Sequence, residues 1–229
     1  MDRSLWAVVP VKDLDHAKQR LASALSAKER RELFGAMLED VLSALARSEG
    51  LAGILLVTRD PEARALAPRY RARVLAEDAN RGHTVASSLG ARVLAQQGVG
   101  GMVQVPADVP LITPEDVAAL LQAHGEAPAI TLAPSRDERG SNAVVCSPPD
   151  LLPLRFGEDS FVPHLRRARE LGVAPRVVRR PGLALDIDTP EDLAAFLAAP
   201  SKTRAWAYLA ESGIAERFGA SDLAGRAGG

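Results

Sequence analysis

Short apolar runs alternate with amphipathic segments along the first half of this chain, and this alternation constrains the fold more than any other feature. Leu5 to Val11 (LWAVVPV), Gly53 to Val57 (GILLV) and Met102 to Val105 are predicted to be buried strands. Between them, apolar residues recur at helical spacing after Ser26 and from Thr84 to Gln97. Such alternation predicts an α/β fold, in which a mostly parallel, mixed sheet carries helices on both faces.

The second half of the chain is less regular. Its predicted strands are Ala129 to Ala133, Ala143 to Cys146, Pro175 to Val178 and Leu183 to Ile187. A helix is predicted from Phe161 to Leu171, and an antiparallel edge of the sheet is expected within residues 129–188. We expect one domain over residues 1–200, followed by a C-terminal helix around Trp206 and a frayed tail within 201–229.

Three segments carry the residue types that begin helices. Ser26 is followed by Glu29 at capping-box spacing. Thr113 and Thr189 each precede Pro-Glu-Asp, which places a threonine at the N-cap and a proline at the first helical position. These segments predict helix starts near residues 27, 114 and 190.

Composition excludes several classes of protein. The 229 residues have a formal net charge of −1, whereas nucleic-acid and membrane-surface binders are usually basic. Cys146 is the single cysteine, so an internal disulfide is impossible and a cytoplasmic setting is expected. Neither a membrane span nor a signal peptide is expected, because the apolar runs are short.

A pair of like charges ends the last predicted strand. Asp186 and Asp188 are two residues apart in DIDTPEDL, so on a strand they would project to the same side. Two adjacent carboxylates repel each other unless a proton or a cation lies between them. In the alternative interpretation, Asp188 assists the cap at Thr189 and Asp186 is solvated. For the pair together, the cost of repulsion favours a bound cation.

Asp108 follows another predicted strand, in Pro106-Ala-Asp-Val-Pro. Ligands of open parallel sheets bind beyond the carboxyl ends of the strands, although an aspartate between two prolines is also common in plain turns. Asp108, Asp186 and Asp188 together would suit a hard cation such as Mg²⁺, with Mn²⁺ also possible. The four histidines and Cys146 show no zinc-ligand spacing.

Three polar loops supply further candidate binding residues. Lys12, Lys18 and Arg20 follow the first strand, where they could neutralise a phosphate or simply be solvated. Asn80 and Gly82 could contact a base, or form a turn with an N-cap at Thr84. A further set of small-residue loops surrounds Gly140-Ser-Asn142 and Phe156-Gly157, after which Ser160 is expected to cap a helix.

These segments, in this order, resemble the 2-phospho-L-lactate guanylyltransferase family, which includes enzymes that use phosphoenolpyruvate or 3-phospho-D-glycerate in coenzyme F-420 biosynthesis. The matching motifs are VPVKxLxxAKxRL (9–21), EDxNxG (77–82), VPADVPL (105–111), GSN (140–142), FGxxSFxxH (156–164) and DIDTPEDL (186–193). The resemblance covers residues 5 to about 200. It implies a single-domain nucleotidyltransferase fold of the glycosyltransferase-A type.

The resemblance also implies roles for individual residues. Asp108, Asp186 and Asp188 would hold the metal and, with Lys18, form the catalytic set. The nucleotide would be bound by Pro10, Lys12, Lys18, Asn80, Gly82 and Pro106. The phosphorylated acid would be bound by Asn142, Gly157 and Ser160.

The implied reaction transfers GMP from GTP to the phosphate of a small three-carbon phosphoacid and releases pyrophosphate. The partners would be GTP and this acid, with no nucleic acid or membrane, and a homodimer is possible. Gly82-His83-Thr84 departs from the Gly-Leu-Asn of many relatives, so the identity of the acid stays open. The alternatives are a molybdenum-cofactor-type guanylyltransferase, a sugar-nucleotide glycosyltransferase and, more distantly, a non-enzymatic nucleotide-binding module.

Overall fold

The computed structural model of the protein describes residues 4–77, 82–157 and 159–218, with the backbone only for His16. Within these residues, one sheet contains all seven strands. They are β1 (Leu5–Pro10), β2 (Leu51–Val57), β3 (Arg73–Leu75), β4 (Gly101–Gln104), β5 (Ala129–Pro134), β6 (Ser141–Ser147) and β7 (Arg176–Val177). The predicted strands of the first half of the chain are confirmed to within two residues at each end.

The strand order is β3-β2-β1-β4-β6-β5-β7. β1 pairs in parallel with β2 and β4, β2 with β3, and β5 with β7. Only β6 is antiparallel to its neighbours, β4 and β5. The expected antiparallel edge is therefore wrong. The reversed strand lies inside the sheet, because the short connection from β5 turns the chain back between β5 and β4.

Helices cover both faces of the sheet, as the alternation predicts. They are α1 (Ala27–Arg47), α2 (Pro61–Leu66), α3 (His83–Gln96), α4 (Pro114–Ala123), α5 (Phe161–Glu170), α6 (Pro181–Ala184), α7 (Pro190–Leu197) and α8 (Arg204–Glu211), with 3-10 turns at Leu14–His16, Gln19–Leu21 and Ala67–Tyr70. α1, α4, α7 and α8 contribute to one hydrophobic cluster, and α3 and α5 to the other. None of the helices described is long and apolar enough to cross a membrane.

The three predicted helix starts are confirmed as capping boxes. Ser26 pairs with Glu29, Thr113 with Asp116 and Thr189 with Asp192, and each pair exchanges side-chain and backbone hydrogen bonds. Proline occupies the first turn of α4 and of α7. Because these contacts are local, they follow from sequence spacing alone.

The strand predicted from Leu183 to Ile187 is wrong. Pro181 begins the single helical turn α6, and the chain then extends without joining the sheet. Its backbone groups are satisfied by loops: Ala184 O accepts from Arg136 N at 2.7 Å, and Ile187 N donates to Asp108 O at 3.0 Å. The side chains still alternate, because Ile187 is fully buried while its two aspartate neighbours are partly exposed.

The C-terminal helix α8 packs on α1 and adds Ala205 and Leu209 to the same hydrophobic cluster. The carboxylate of Asp40, on α1, accepts hydrogen bonds from Arg204 N at 2.8 Å and Ala205 N at 2.9 Å. These bonds satisfy two backbone donors that a helix start leaves without partners. The domain boundary at residue 200 stays a prediction.

The partly buried side chain of His124 should make the stability of the protein depend on pH. It lies at the end of α4, where Nδ1 contacts Thr131 Oγ1 and Nε2 contacts Ser147 Oγ, each at 3.0 Å. Burial lowers the pKa of His124 to about 4. The unfolded chain, with a histidine pKa of about 6.5, therefore binds a proton that the folded chain excludes. This contribution to stability is complete above pH 6.5 and is lost as the pH falls toward 4.

As the pH is lowered from 6.5 to 4, the free energy of unfolding should fall less steeply in His124→Asn than in the unaltered protein. The difference in slope should be up to about 1.4 kcal/mol per pH unit. Urea denaturation at several pH values measures this slope. Equal slopes in the two proteins would contradict the burial of a neutral His124.

Candidate active site

Two adjoining cavities lie beyond the carboxyl ends of β1 and β4, and a third, of about 460 Å³, lies beside them and shares Gly157, Asp186 and Asp188 with the larger of the two. The larger, of about 480 Å³, is lined by nine of the twelve predicted site residues: Lys12, Gly82, Pro106, Asp108, Asn142, Gly157, Ser160, Asp186 and Asp188. The smaller, of about 320 Å³, adds Pro10 and Lys18. Asn80, the twelfth, lies outside the described residues. The two cavities share five lining residues, namely Lys12, His83, Pro106, Asp108 and Asp188, so ligands in them would meet beside Asp108.

Lys18 connects two of the three aspartates. Its Nζ contacts Asp108 Oδ2 directly and lies 3.5 Å from Asp188 Oδ1. Arg20 Nη1 lies 3.1 Å from the other oxygen of Asp188. The Lys18 side chain is only 6% exposed. A lysine therefore lies between Asp108 and Asp188, whereas the bound cation expected between Asp186 and Asp188 stays a prediction.

This pairing determines the charge on Lys18. Burial lowers the pKa of its ammonium group, but the charges of Asp108 and Asp188 outweigh that effect and raise the pKa above its ordinary value. Lys18 is thus a permanent cation near neutral pH. Its backbone is left-handed (φ 54°, ψ 42°), an uncommon conformation for a residue other than glycine.

Asp186 is held differently. Asn142 Nδ2 donates to Asp186 Oδ1 at 3.0 Å and to Leu183 O at 2.9 Å. Burial and the nearby charge of Asp108 raise the pKa of Asp186. Burial is the larger cause and the charge of Asp108 the second, so the carboxylate repulsion that the sequence predicted for Asp186 with Asp188 comes here from Asp108.

The carboxylate oxygens of the three aspartates are the kind of ligand that a hard divalent cation prefers, but the three side chains are not already arranged around a common point. No three Asp, Glu, His or Cys side chains within residues 4–77, 82–157 and 159–218 are arranged to hold a metal ion. Asp108 Oδ1 is buried without a hydrogen-bond partner, and it is an oxygen of the kind that Mg²⁺ binds. Because Mg²⁺ commonly takes one or two carboxylates and completes its shell with water and phosphate, Asp108 and Asp186 fit such an ion.

Ser160 and Thr84 differ from expectation. Neither side chain caps a helix: α5 begins after Ser160 without a side-chain cap, and the N-cap of α3 is Gly82, with a positive φ of 94°. Ser160 Oγ instead accepts from Ser141 N at 2.9 Å, and Thr84 Oγ1 accepts from Phe156 N at 2.9 Å. Both hydroxyls join loops around the larger cavity, which only tertiary structure reveals.

His83 was not predicted as a site residue, yet it lines both cavities. Its Nε2 lies 3.0 Å from Nε2 of Gln104, a fully buried amide on β4. Burial lowers the pKa of His83 to about 4, so the ring is neutral near pH 7. The departure from Gly-Leu-Asn at residues 82–84 was the sequence signal that pointed to it.

Comparison with known proteins identifies the family of the chain that forms this site. The model of the family described as "Guanylyl transferase CofC like" matches residues 5–225. The chain belongs to this family. It is therefore an enzyme, a nucleotidyltransferase of the guanylyltransferase kind, and the predicted resemblance is confirmed. The molybdenum-cofactor, glycosyltransferase and non-enzymatic alternatives are set aside.

Named relatives agree with this membership. A phosphoenolpyruvate guanylyltransferase of Rubrobacter xylanophilus is 43% identical over 195 residues, which cover 83% of this chain and 92% of that protein. A 2-phospho-L-lactate guanylyltransferase of Methanothermobacter thermautotrophicus is 34% identical over 203 residues, with 89% and 88% covered.

A crystal structure described as a nucleotide-diphospho-sugar transferase from Desulfovibrio desulfuricans superposes with a TM-score of 0.75. It is 18% identical, and the superposition covers 95% of this chain and 99% of that one. At this identity the likeness concerns the fold alone. It confirms the glycosyltransferase-A-like nucleotidyltransferase fold.

Lys18→Met tests the ion pairs at the centre of the site. Methionine keeps the apolar stem but leaves Asp108 and Asp188 without the cation between them. Because an uncompensated buried charge is unfavourable, the free energy of unfolding should fall by roughly 2 kcal/mol or more. Mg²⁺ should then recover more stability in Lys18→Met than in the unaltered protein, since the freed carboxylates can bind it.

Chemical denaturation with and without Mg²⁺ measures both effects. Lys28→Met is the matched control, because the Lys28 side chain is 83% exposed and its ion pair, within the part of the chain that the structure describes, is with Glu32. This control should change little in either condition. A loss of stability in Lys18→Met that Mg²⁺ does not reduce would contradict the assignment of a cation site there.

Proposed function

We propose that the enzyme transfers GMP from GTP to the phosphate of phosphoenolpyruvate and releases pyrophosphate, in the biosynthesis of coenzyme F-420. The match to the guanylyltransferase family supports the transfer of GMP from GTP. The choice of acid rests on relatives named phosphoenolpyruvate guanylyltransferases, among them one at 43% identity. The relative named for 2-phospho-L-lactate is 34% identical, which keeps that acid as an alternative. The family resemblance of the sequence motifs keeps 3-phospho-D-glycerate as a second alternative.

The division into two cavities supports this reaction. In the smaller cavity Lys12 and Lys18 offer cations for a triphosphate beside Pro10, while the larger cavity, which Lys12 also lines, offers neutral groups for the acid at Asn142, Gly157 and Ser160. Both ligands would place a phosphate beside Asp108. That arrangement suits transfer between two phosphates, which depends mainly on positioning and charge neutralisation.

The bond changes need no protein nucleophile. A phosphate oxygen of the acid attacks the α-phosphorus of GTP, the bond from that phosphorus to the bridging oxygen of the β-phosphate breaks, and pyrophosphate leaves with the electron pair. Lys12 and Lys18 offset the negative charge of the triphosphate and of the departing pyrophosphate. Ser160 orients the acid so that its phosphate oxygen faces the α-phosphorus, while Asn142 lines the cavity and holds Asp186 in place.

Asp108 and Asp186 would hold Mg²⁺, or Mn²⁺ in its place, with Asp188 completing the acidic set. The bound cation would supply positive charge to the phosphate oxygens during transfer. Asp108 offers its unpartnered Oδ1, and Asp186 is already oriented by Asn142. Lys18 neutralises the carboxylates until a cation and nucleotide arrive, so its ammonium group is placed to move from carboxylate to phosphate.

Pyrophosphate release tests the proposal. The purified protein is mixed with GTP, Mg²⁺ and one acid at a time: phosphoenolpyruvate, 2-phospho-L-lactate or 3-phospho-D-glycerate. We expect release with phosphoenolpyruvate, with kcat/KM at least about 10-fold above that for the other two acids, a margin worth about 1.4 kcal/mol. ATP in place of GTP is the nucleotide control. Release with none of the acids would overturn the proposal, and a preference for another acid would correct its substrate.

Asp186→Asn should separate activity from stability. The amide keeps the acceptor oxygen for Asn142 but removes a charge that burial and Asp108 disfavour. Stability should therefore stay equal or rise, while kcat/KM falls at least about 100-fold because a cation ligand is lost. Thermal unfolding and pyrophosphate release measure the two quantities.

The control for this variant is Asp159→Asn, since Asp159 is an exposed carboxylate that pairs with Arg139 nearby. Its activity should stay close to that of the unaltered enzyme. If Asp186→Asn turned over at the original rate with saturating Mg²⁺, Asp186 would not be a cation ligand.

A further inference from the structure

A chain of three hydrogen bonds runs behind the larger cavity. Arg155 N donates to His164 Nε2 at 3.0 Å, His164 Nδ1 lies 3.0 Å from Ser141 Oγ, and Ser141 N donates to Ser160 Oγ at 2.9 Å. Ser141, Ser160 and His164 are all buried. Of these residues, only Ser160 has so far been given a role in binding the acid.

The backbone determines which nitrogen of His164 carries the proton. A backbone N–H is always a donor, so Nε2 of His164 must accept from Arg155 and cannot itself be protonated. Burial lowers the pKa of His164 to about 4, which keeps the ring neutral near pH 7. In a neutral imidazole the proton then lies on Nδ1, and Nδ1–H donates to Ser141 Oγ.

This donation constrains the hydroxyl of Ser141. Because its oxygen accepts from His164, its own proton is free to be donated elsewhere. Within the residues that the structure describes, no protein acceptor for that proton lies within hydrogen-bond distance, and Ser141 lines the larger cavity. Ser160 has the same arrangement, since its oxygen accepts from Ser141 N and it lines the same cavity.

A bulge at the start of β6 brings Ser141 to this position. Pro134 pairs with Ser141 and Ala133 pairs with Ala143, so Asn142 is an extra residue in β6. Adjacent residues on a regular strand face opposite sides of a sheet, whereas Ser141 and Asn142 here line the same cavity. The bulge thus brings the Ser141 hydroxyl into the cavity beside Asn142, whose two amide N–H groups are already donated to Asp186 and Leu183.

We propose that Ser141 is a further substrate-binding residue, whose hydroxyl donates to an anionic oxygen of the phosphoacid, and that His164 is a positioning residue that holds the hydroxyl in this orientation. The inference rests on the proposed function for the identity of the ligand. The ligand oxygen belongs to either the carboxylate or the phosphate of the acid. His164 itself need not touch the substrate.

Steady-state kinetics of three variants test the proposal. Ser141→Ala should raise KM for phosphoenolpyruvate roughly 10-fold or more, the usual effect of losing a hydrogen bond to a charged group. KM for GTP should stay within about 2-fold, below what the loss of a typical hydrogen bond produces. His164→Ala should approach the KM of Ser141→Ala, whereas His164→Asn, whose amide can still donate toward Ser141, should recover most of the affinity.

The same strand provides a matched control. At the other end of β6, Ser147 Oγ contacts Nε2 of His124, another buried histidine with a lowered pKa. This pair lies outside the two cavities. Ser147→Ala and His124→Ala should therefore reduce stability and leave both KM values unchanged. If they raised KM for the acid as much as Ser141→Ala and His164→Ala do, the effect would be general loosening of the fold and the proposal would fail.

Two measurements separate positioning from a structural role. His164→Ala in the Ser141→Ala background should add no further increase in KM for the acid, because its effect passes through the hydroxyl. Long-range ¹H–¹⁵N correlation spectra of the ligand-free protein should show His164 protonated at Nδ1 and not at Nε2. Additive KM effects, or a proton on Nε2, would overturn the role of His164.

Competitive inhibitors identify the group that Ser141 contacts. Phosphoglycolate has a phosphate and a carboxylate, while methyl phosphate has only the former. If Ser141→Ala raises the Ki of both inhibitors above the values for the unaltered enzyme, the contact is with the phosphate. If it raises the Ki of phosphoglycolate alone, the contact is with the carboxylate. Unchanged Ki values for both would remove Ser141 from the acid site.

The spectroscopic measurement requires no turnover. If the unaltered enzyme released no pyrophosphate with any acid, the proposed function would fail while the Nδ1 proton of His164 could still be observed.

Discussion

The ammonium group of Lys18, between Asp108 and Asp188, is the contact on which the site depends. Three aspartates converge at one edge of the sheet, and without a cation their repulsion would oppose folding. Lys18 adopts a left-handed backbone conformation that costs roughly 1–2 kcal/mol for a residue other than glycine. Because buried ion pairs hold its side chain, that cost is tolerated, which is common at functional sites.

The reversed strand β6 completes this edge of the sheet. Parallel strands end together, so β1 and β4 deliver Lys12 and Asp108 to one side. β6 runs the opposite way, and its beginning lies where its neighbours end. Ser141 and Asn142 therefore face the residues that follow β4. An all-parallel sheet would have placed the start of this strand at the far edge, away from the cavity.

The capping boxes were predictable from the sequence, whereas the single caps expected at Thr84 and Ser160 do not form, and tertiary hydrogen bonds were not predictable. Capping boxes such as Thr189 with Asp192 depend on residues three apart, and the sequence shows them directly. The convergence of Asp108 and Asp186 followed from their places after apolar segments, although the second of those segments is not a strand. The contact of Lys18 with Asp108 spans 90 positions, and that of Ser141 with His164 joins a bulge to a helix. Residue spacing encodes neither contact, since both depend on how separate elements pack.

The division of charge within the site follows from the same electrostatics. A cation placed on the side of the acid would pair with Asp186, as Lys18 pairs with Asp108, and would compete with a divalent ion for that carboxylate. Ser141 and Ser160 instead present neutral hydroxyl donors, which would bind an anion without neutralising the carboxylates, while both amide N–H groups of Asn142 are donated to Asp186 and Leu183. In the proposed reaction Lys18 lies on the nucleotide side, where the three phosphates would draw it away from Asp108. We expect the site to accept two anionic substrates because the buried Lys18 and the neutral hydroxyls of Ser141 and Ser160 line different cavities, while Lys12 lines both.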